Sequence, residues 1–298
     1  MKKNLKFSVI VNLNASGGKN LSLINEVIKL LKSDHEVKVF KTYNKDQAKT
    51  VFKKLPDENF DRIVIAGGDG SICFAVNELL QNNGLQDKIV GFIPAGSTNI
   101  LQIETKISST ASNIYDVLVS DKTKKINFLK INKNYFILMA GIGFDSKVVE
   151  SIGEKSKKYL GKIIFIIKGL QNFIFLNNEK MKVEVDGEKF SASWILCTNS
   201  KYYAGPYSIT QKTNIFDKKV IVYIVKNLTR FKILNYLWLI YIKGDISSAK
   251  SVITRDFQTL KVETTKNKLL TQIDGEKFSH QNNITIQKSE KFLNLLIP

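Results

Sequence analysis

The spacing of apolar residues changes once along the chain, near residue 124. Before that point, short apolar runs alternate with stretches of helical period. Residues 6–11 read as a buried strand, Leu21–Leu31 as a helix and His35–Thr42 as an alternating strand, with a further helix over Asp46–Leu55. Ile63-Val64-Ile65-Ala66 is a third apolar run, and it stops at Gly67-Gly68-Asp69-Gly70. Ile72, Ala75, Val76, Leu79 and Leu80 then recur with helical spacing, and Ile89–Ile93 is another strand, closed by the small-residue turn Pro94–Asn99. Strands alternating with helices predict an α/β domain with a parallel sheet over residues 1–124. After residue 124 the runs become short and alternating (KINFLKI, KVEVDGEKFSASWILCTN, VIVYIVKN), which predicts a mostly antiparallel β domain over 125–289. Two helical segments interrupt it, Lys155–Leu176 and Thr229–Tyr241, each apolar and aromatic on one face. Such a helix docks on a membrane surface or packs on a sheet, and period alone leaves both open. The last run, Phe292–Ile297, is apolar enough to return to a core, so 290–298 is able to join the first domain.

In a parallel α/β sheet, ligands bind beyond the carboxyl ends of the strands. Three glycine- or serine-rich turns fall there: Asn12–Lys19, Gly67–Gly70 and Pro94–Asn99. Glycine lets a backbone approach an anion, and a helix start offers free N–H groups, so the strand–turn–helix around Gly67 is a candidate phosphate cradle. Asp69 inside it repels phosphate. It fits if a metal ion or proton transfer is involved, or if the aspartate simply caps a helix.

Charge and rare residues narrow the chemistry. With 45 Lys+Arg against 27 Asp+Glu, the net charge of +18 favours polyanions (nucleotides, an anionic membrane, nucleic acid) or marks a solvated lysine surface. No nucleic-acid motif accompanies it, and nucleic acid is not an expected partner. The only cysteines are Cys73 and Cys197 and the only histidines His35 and His280, too few for a disulfide framework, a thiolate or His-based zinc site, or a Ser-His-Asp triad. Catalysis would rest on carboxylates, lysines and a bound ion. The N-terminal apolar run is too short for a signal peptide, and Ile163–Phe175 and Phe231–Ile242 are too short and too polar to span a bilayer, so a cytoplasmic protein is expected. Asp-Gly-Glu-Lys-Phe occurs twice, at 186–190 and 274–278, each after an alternating strand. Asp-Gly between strands is a hairpin signal in its own right, so only place in the chain can separate the two copies.

Taken in order, these motifs resemble the diacylglycerol kinase catalytic-domain superfamily, in its soluble bacterial lipid-kinase and sphingosine-kinase-like branch. Gly67-Gly68-Asp69-Gly70-Ser71 resembles the family's GGDGT, and Pro94-Ala95-Gly96-Ser97-Thr98-Asn99 its P-x-G-T-x-N turn. Gly141-Ile142-Gly143-Phe144-Asp145 resembles G-x-G-x-D, Asn199 with Tyr202, Tyr203 and Gly205 an N…YYGG segment, and Asp274-Gly275-Glu276 the late D-G-E. The resemblance implies a Rossmann-like first domain of phosphofructokinase/NAD-kinase type and an antiparallel β-sandwich second domain, with lipid entering near the cleft. It implies ATP- and Mg²⁺-dependent phosphoryl transfer to a lipid hydroxyl, diacylglycerol or a related lipid, at the inner face of an anionic membrane. It leaves a homodimer open. By the same resemblance Asn12, Thr42, Gly67, Gly68, Asp69, Gly70, Ser71, Gly96, Ser97, Thr98 and Asn99 meet the nucleotide. Asp69, Asp145 and Asp217 serve the metal, and Glu276, with Asp274 and Asp69, the proton transfer. Four positions depart from the family pattern: Leu13 for Pro, Phe74 for Glu, Ile100 for an acidic residue, and Asp217-Lys218-Lys219 for Asp-Gly-x-Leu. The first glycine motif is shared with NAD kinases, which keeps an NAD kinase as an alternative. The missing acid at Ile100 does the same for a non-catalytic nucleotide- or lipid-binding regulator.

Overall fold

The computed structural model describes residues 4–18, 20–82, 85, 87–151, 180–203, 205–264 and 268–298. The segment Lys155–Leu176, expected to be helical, lies outside them. The chain divides into two compact units, Met1–Ile126 with Lys291–Pro298, and Asn127–Glu290.

In the first unit the strands are β1 (Lys6–Asn12), β2 (Glu36–Thr42), β3 (Arg62–Gly67) and β4 (Ile89–Pro94). They pair in the order β2-β1-β3-β4, all parallel. β3 is buried along its whole length, while β2 alternates exposed and half-buried residues as an edge strand does. Helices α1 (Leu21–Asp34), α2 (Lys45–Lys54) and α3 (Asp69–Gln81) follow β1, β2 and β3. Ile24, Val27 and Leu31 of α1 recur at three and four residues and form its buried face. Asn44 caps α2 through Gln47 N, 2.9 Å away. Two helices after the Pro94–Asn99 turn went unpredicted: α4 (Ile100–Thr105) and α5 (Ala111–Val119). The end of α5 is tied to β3 by the buried Arg62, which donates to the carbonyls of Leu118 and Ser120 and pairs with Asp121. Burial disfavours its charge, and Asp121 offsets only part of that effect.

β4 finds its outer neighbour far along the chain. Asn294 and Leu295, in the strand β18 (Asn283–Leu296), pair with Ile89 and Val90 in parallel. The closing apolar run thus belongs to the first sheet.

The second unit holds two antiparallel sheets. One runs β14 (Val252–Asp256), β13 (Ile221–Val225), β10 (Trp194–Thr198), β7 (Met139–Ile142), β16 (Leu269–Ile273) and β17 (Glu276–Gln281). The other pairs β9 (Glu188–Ala192) with β8 (Met181–Val185), β15 (Thr259–Glu263) and residues 283–287 of β18. β5 (Thr123–Ile131) pairs with β18 and with β6 (Asn134–Phe136). Apolar residues from both sheets, among them Ile142, Ile195, Val222, Val183, Leu260 and Ile286, form one core, as a β-sandwich requires. The short ribbon β11 (Tyr202–Tyr203) and β12 (Tyr207–Ser208) stands apart, and the helix α6 (Phe144–Glu150) follows β7. The Thr229–Tyr241 segment forms α7 (Arg230–Lys243), capped by Thr229 and ended by Gly244 at φ 60°.

Candidate active site

The first unit brings two of its turns together at the carboxyl ends of β3 and β4. Ala95 N donates to Gly67 O at 2.9 Å, extending the strand pairing into the turns. A side chain on Gly68 would meet Gly96 Cα at 2.8 Å, and one on Gly67 would meet Ser71 Cβ at 2.6 Å. These distances are below any real Cβ contact, so the turns close on each other only as glycines. Gly68 is the N-cap of α3 and supplies no side chain to its first amides, which is the condition for an anion to take them. The pairing therefore fits a phosphate group.

Asp69 explains itself differently from a lone phosphate repeller. Its carboxylate accepts from Ile100 N at 2.9 Å and Leu101 N at 3.2 Å, so it caps α4. Asn99, which precedes α4 at φ 50°, turns its side chain back on Gly96, accepting from Gly96 N at 2.8 Å and donating to Gly96 O at 3.0 Å. Asn12 Nδ2 donates to Ser71 Oγ at 2.8 Å, joining the first turn to α3. Thr42 is buried and its hydroxyl donates to Val11 O at 3.0 Å. Gly70 lies in the first turn of α3, Ser97 is exposed and Thr98 half-buried. Two departures have local accounts. Leu13 N donates to Thr42 O at 2.9 Å, a bond proline cannot make. The Phe74 ring packs edge-on against Phe52.

The second unit has its own cluster around Asp145. The residue sits in α6, and its carboxylate folds back over Gly141, where any Cβ would overlap it. Gly143, at φ 106°, starts the helix close against Ser193 O. The spacing G-x-G-x-D is thus explained by space at one glycine and backbone conformation at the other. Trp194 Nε1 donates to Asp145 Oδ1 and Gln272 Nε2 to Oδ2, both at 3.0 Å. Burial pushes the Asp145 carboxyl up to about 6, against the pull of the hydrogen bonds from Gln272 and Trp194. The Cys197 thiol and the Tyr203 hydroxyl are raised by burial and further by this charge. Trp194 and Gln272 carry no motif and went unpredicted.

A carboxyl whose value is higher in the folded chain is most stabilising when protonated. In metal-free buffer the wild type is expected to lose stability relative to Asp145→Asn as pH rises from about 4 to about 6. The change should reach about 3 kcal/mol in denaturant titrations across that window.

The two Asp-Gly-Glu-Lys-Phe copies share a turn and differ in what surrounds it. Asp186 and Asp274 have φ of 46° and 49°, and Gly187 and Gly275 of 93° and 78°, the signature of a type I′ hairpin. The exposed Asp186 accepts from the backbone of Gln258 and Thr259, and Glu188 pairs with Arg255 at 3.2 Å. Asp274 is buried and accepts from Ile137, Leu138 and Met139 N at 2.9–3.0 Å. That commitment ties the carboxylate expected beside Glu276 to the backbone of β7 and the residues before it. Gln272 links this turn to the other cluster, since its Oε1 accepts from Gly275 N at 2.9 Å while its Nε2 reaches Asp145. Glu276 opens β17, half-buried. Asp217 lies on an exposed turn and accepts from Asn214 Nδ2 at 2.6 Å.

Among the described residues no three His, Cys, Asp or Glu side chains are grouped as metal ligands. Mg²⁺ is commonly held by one or two carboxylates with water and substrate phosphates, so the test falls on single residues. Asp69, with both oxygens on amides, fits a role through water. Asp145, buried and doubly hydrogen-bonded, does not fit direct ligation. Asp217 is exposed, accepts from Asn214 Nδ2 and is followed by Lys218 and Lys219, whose charge opposes a cation there.

Residues 6–131 match the family model "Diacylglycerol kinase catalytic domain", and residues 139–295 match "YegS C-terminal NAD kinase beta sandwich-like domain". A diacylglycerol kinase of Staphylococcus aureus (strain JH9) is 25% identical over 274 residues, 88% of this chain and 84% of that one. One of Staphylococcus carnosus (strain TM300) is 26% identical over 186 residues, and the match spans 61% of this chain and 60% of that relative. The crystal structure of a diacylglycerol kinase from Bacillus anthracis str. Sterne matches at TM-score 0.79 with 19% identity, covering 100% of this chain and 99% of that one. The likeness shows the two-domain fold.

Proposed function

The chain belongs to the diacylglycerol kinase catalytic-domain family, a family of kinases, and from that premise we propose that it transfers the γ-phosphoryl group of ATP to a lipid hydroxyl. Diacylglycerol or a related lipid is the proposed acceptor, at the inner face of an anionic membrane. The observation that carries the reading is the glycine-to-glycine closure of the Gly67–Gly70 and Pro94–Asn99 turns beyond two parallel strands. Phosphoryl transfer asks a protein mainly for positioning and charge stabilisation, and for a group to take the hydroxyl proton. The glycine turns and the start of α3 would position the phosphates, and Asp69 would fix the second turn by capping α4. Mg²⁺, when bound, supplies the neutralisation of phosphate charge, with Asp69 the residue suited to orient its water. As the lipid oxygen bonds to the γ-phosphorus, the bond to the bridging oxygen of ADP breaks and the hydroxyl proton passes to Glu276. Gln272 and the Asp274 turn would hold Glu276 in place.

The test is ATP-dependent labelling across diacylglycerol, phosphatidylglycerol, a sphingoid base, undecaprenol and monoacylglycerol, dispersed in detergent with Mg²⁺. Label is expected in one of these, and none in any would sink the assignment. NAD stands as a second acceptor, since the second family model is named for an NAD-kinase-like sandwich. Label in NAD alone would favour it, and ATP binding without label in any acceptor would favour a regulator.

A further inference from the structure

Helix α7 is apolar on every side, yet the second unit covers only part of it. Ile233 and Tyr236 are its buried residues. The Tyr236 hydroxyl lies 2.8 Å from Ser251 Oγ, and its ring packs on Trp194 with centroids 6.1 Å apart. Phe231 is 86% exposed, Trp238 62% and Tyr241 72%, and Leu234, Leu237 and Ile242 are each more than half exposed. At about 100° per residue these six fall in one arc of roughly 140° on the helix surface. Scattered surface apolar residues are ordinary, but a continuous face of this size marks an interaction site.

The polar residues of α7 indicate the partner. Arg230–Lys243 contains no Asp or Glu and carries Arg230, Lys232 and Lys243 at its ends. Two cations in the first turn oppose the helix dipole, and Lys232 Nζ donates to Asn227 O at 2.6 Å just ahead of the helix. At the same 100° per residue Arg230 borders the apolar arc at its N-terminal end, while Lys232 and Lys243 lie on the far side of the helix. A cation beside an aromatic face complements anionic headgroups, and Trp and Tyr settle where one end is wet and the other apolar. A second copy of the chain is disfavoured, because each copy carries +18 and the face itself offers no acid to offset it.

We propose that the Phe231–Trp238–Tyr241 face of α7 inserts into the headgroup–acyl boundary of an anionic phospholipid bilayer. The proposal gives the lipid-kinase reading its membrane contact and rests on that reading for its purpose, but binding is measured without ATP or turnover. The full chain is mixed with vesicles of phosphatidylglycerol and phosphatidylcholine, or of phosphatidylcholine alone, and bound protein is separated by flotation. Binding is expected to the anionic vesicles and to weaken with salt. Tryptophan emission should shift to the blue on binding, and the shift should vanish in Trp238→Phe, since the other tryptophan, Trp194, is buried. Phe231→Ser with Trp238→Ser should lower vesicle affinity at least tenfold with the thermal midpoint in solution unchanged. Unaltered vesicle affinity in that double variant overturns the proposal. So does an emission shift that persists in Trp238→Phe, or a wild-type dimer that the double variant turns into a monomer. Vesicle binding through α7 without lipid labelling would overturn the kinase reading and leave this one. Labelling of dispersed lipid without α7-dependent binding would do the reverse.

Discussion

Glu276→Gln is expected to lower turnover by about 10²- to 10⁴-fold, the range a positioned general base contributes, with ATP affinity and the unfolding midpoint close to wild type. The substitution keeps the shape of the side chain and removes its ability to take a proton. The first pentapeptide is the internal control. Glu188 stands in the same place after the same turn, but it is exposed and paired with Arg255. Glu188→Gln should leave turnover unchanged, as surface ion pairs contribute little. Steady-state kinetics on the labelled lipid, with thermal melts of both variants, would check this. Equal activity of Glu276→Gln and wild type would remove Glu276 from the chemistry.

Asp274→Ala is expected to destabilise the second unit by about 3–5 kcal/mol, since each buried amide left without its acceptor costs about 1–3 kcal/mol. Three amides, from Ile137, Leu138 and Met139, would lose their acceptor in a buried place. Asp186→Ala removes a similar clamp in water, where the freed amides of Gln258 and Thr259 find other partners, and should cost about 1 kcal/mol. Urea titration of the two variants would decide it. A loss at Asp274 no larger than at Asp186 would show that the buried clamp is dispensable. The two carboxylates of one Asp-Gly-Glu are thus expected to fail differently, one in stability and one in rate.

Much of this was legible in the sequence, because period-3.6 and period-2 patterns differ and the motifs lie in order. The α/β class of the first unit and the antiparallel sandwich follow from those patterns, while the parallel pairing of the last apolar run with β4 does not. What was hidden depends on partners distant along the chain. α4 has six residues, and the acceptor for its first amides is Asp69, 31 positions earlier, so no local cap announces it. Gly68 and Gly96 each look like ordinary turn glycines until their backbones are seen to touch. Trp194 and Gln272 look like strand residues. They meet Asp145 because β10 and β16 both flank β7, with Leu196 and Gln272 in register with Gly141. The backbone partners of Asp274 were hidden for the same reason. A D-G-E spacing shows which residues are adjacent in the chain, and the amides that occupy Asp274 lie about 136 positions earlier.

The pairing of Asn294 and Leu295 with β4 has a consequence for synthesis. A ribosome finishes β1 to β4 and their helices early, but β4 keeps an unpaired edge until all of 127–290 has been made. Unpaired edges invite pairing with other chains, and contacts of long sequence separation form late. The nascent first unit would thus wait, open on one side, while the sandwich is made. The sheet that emerges first is the one whose edge is completed last.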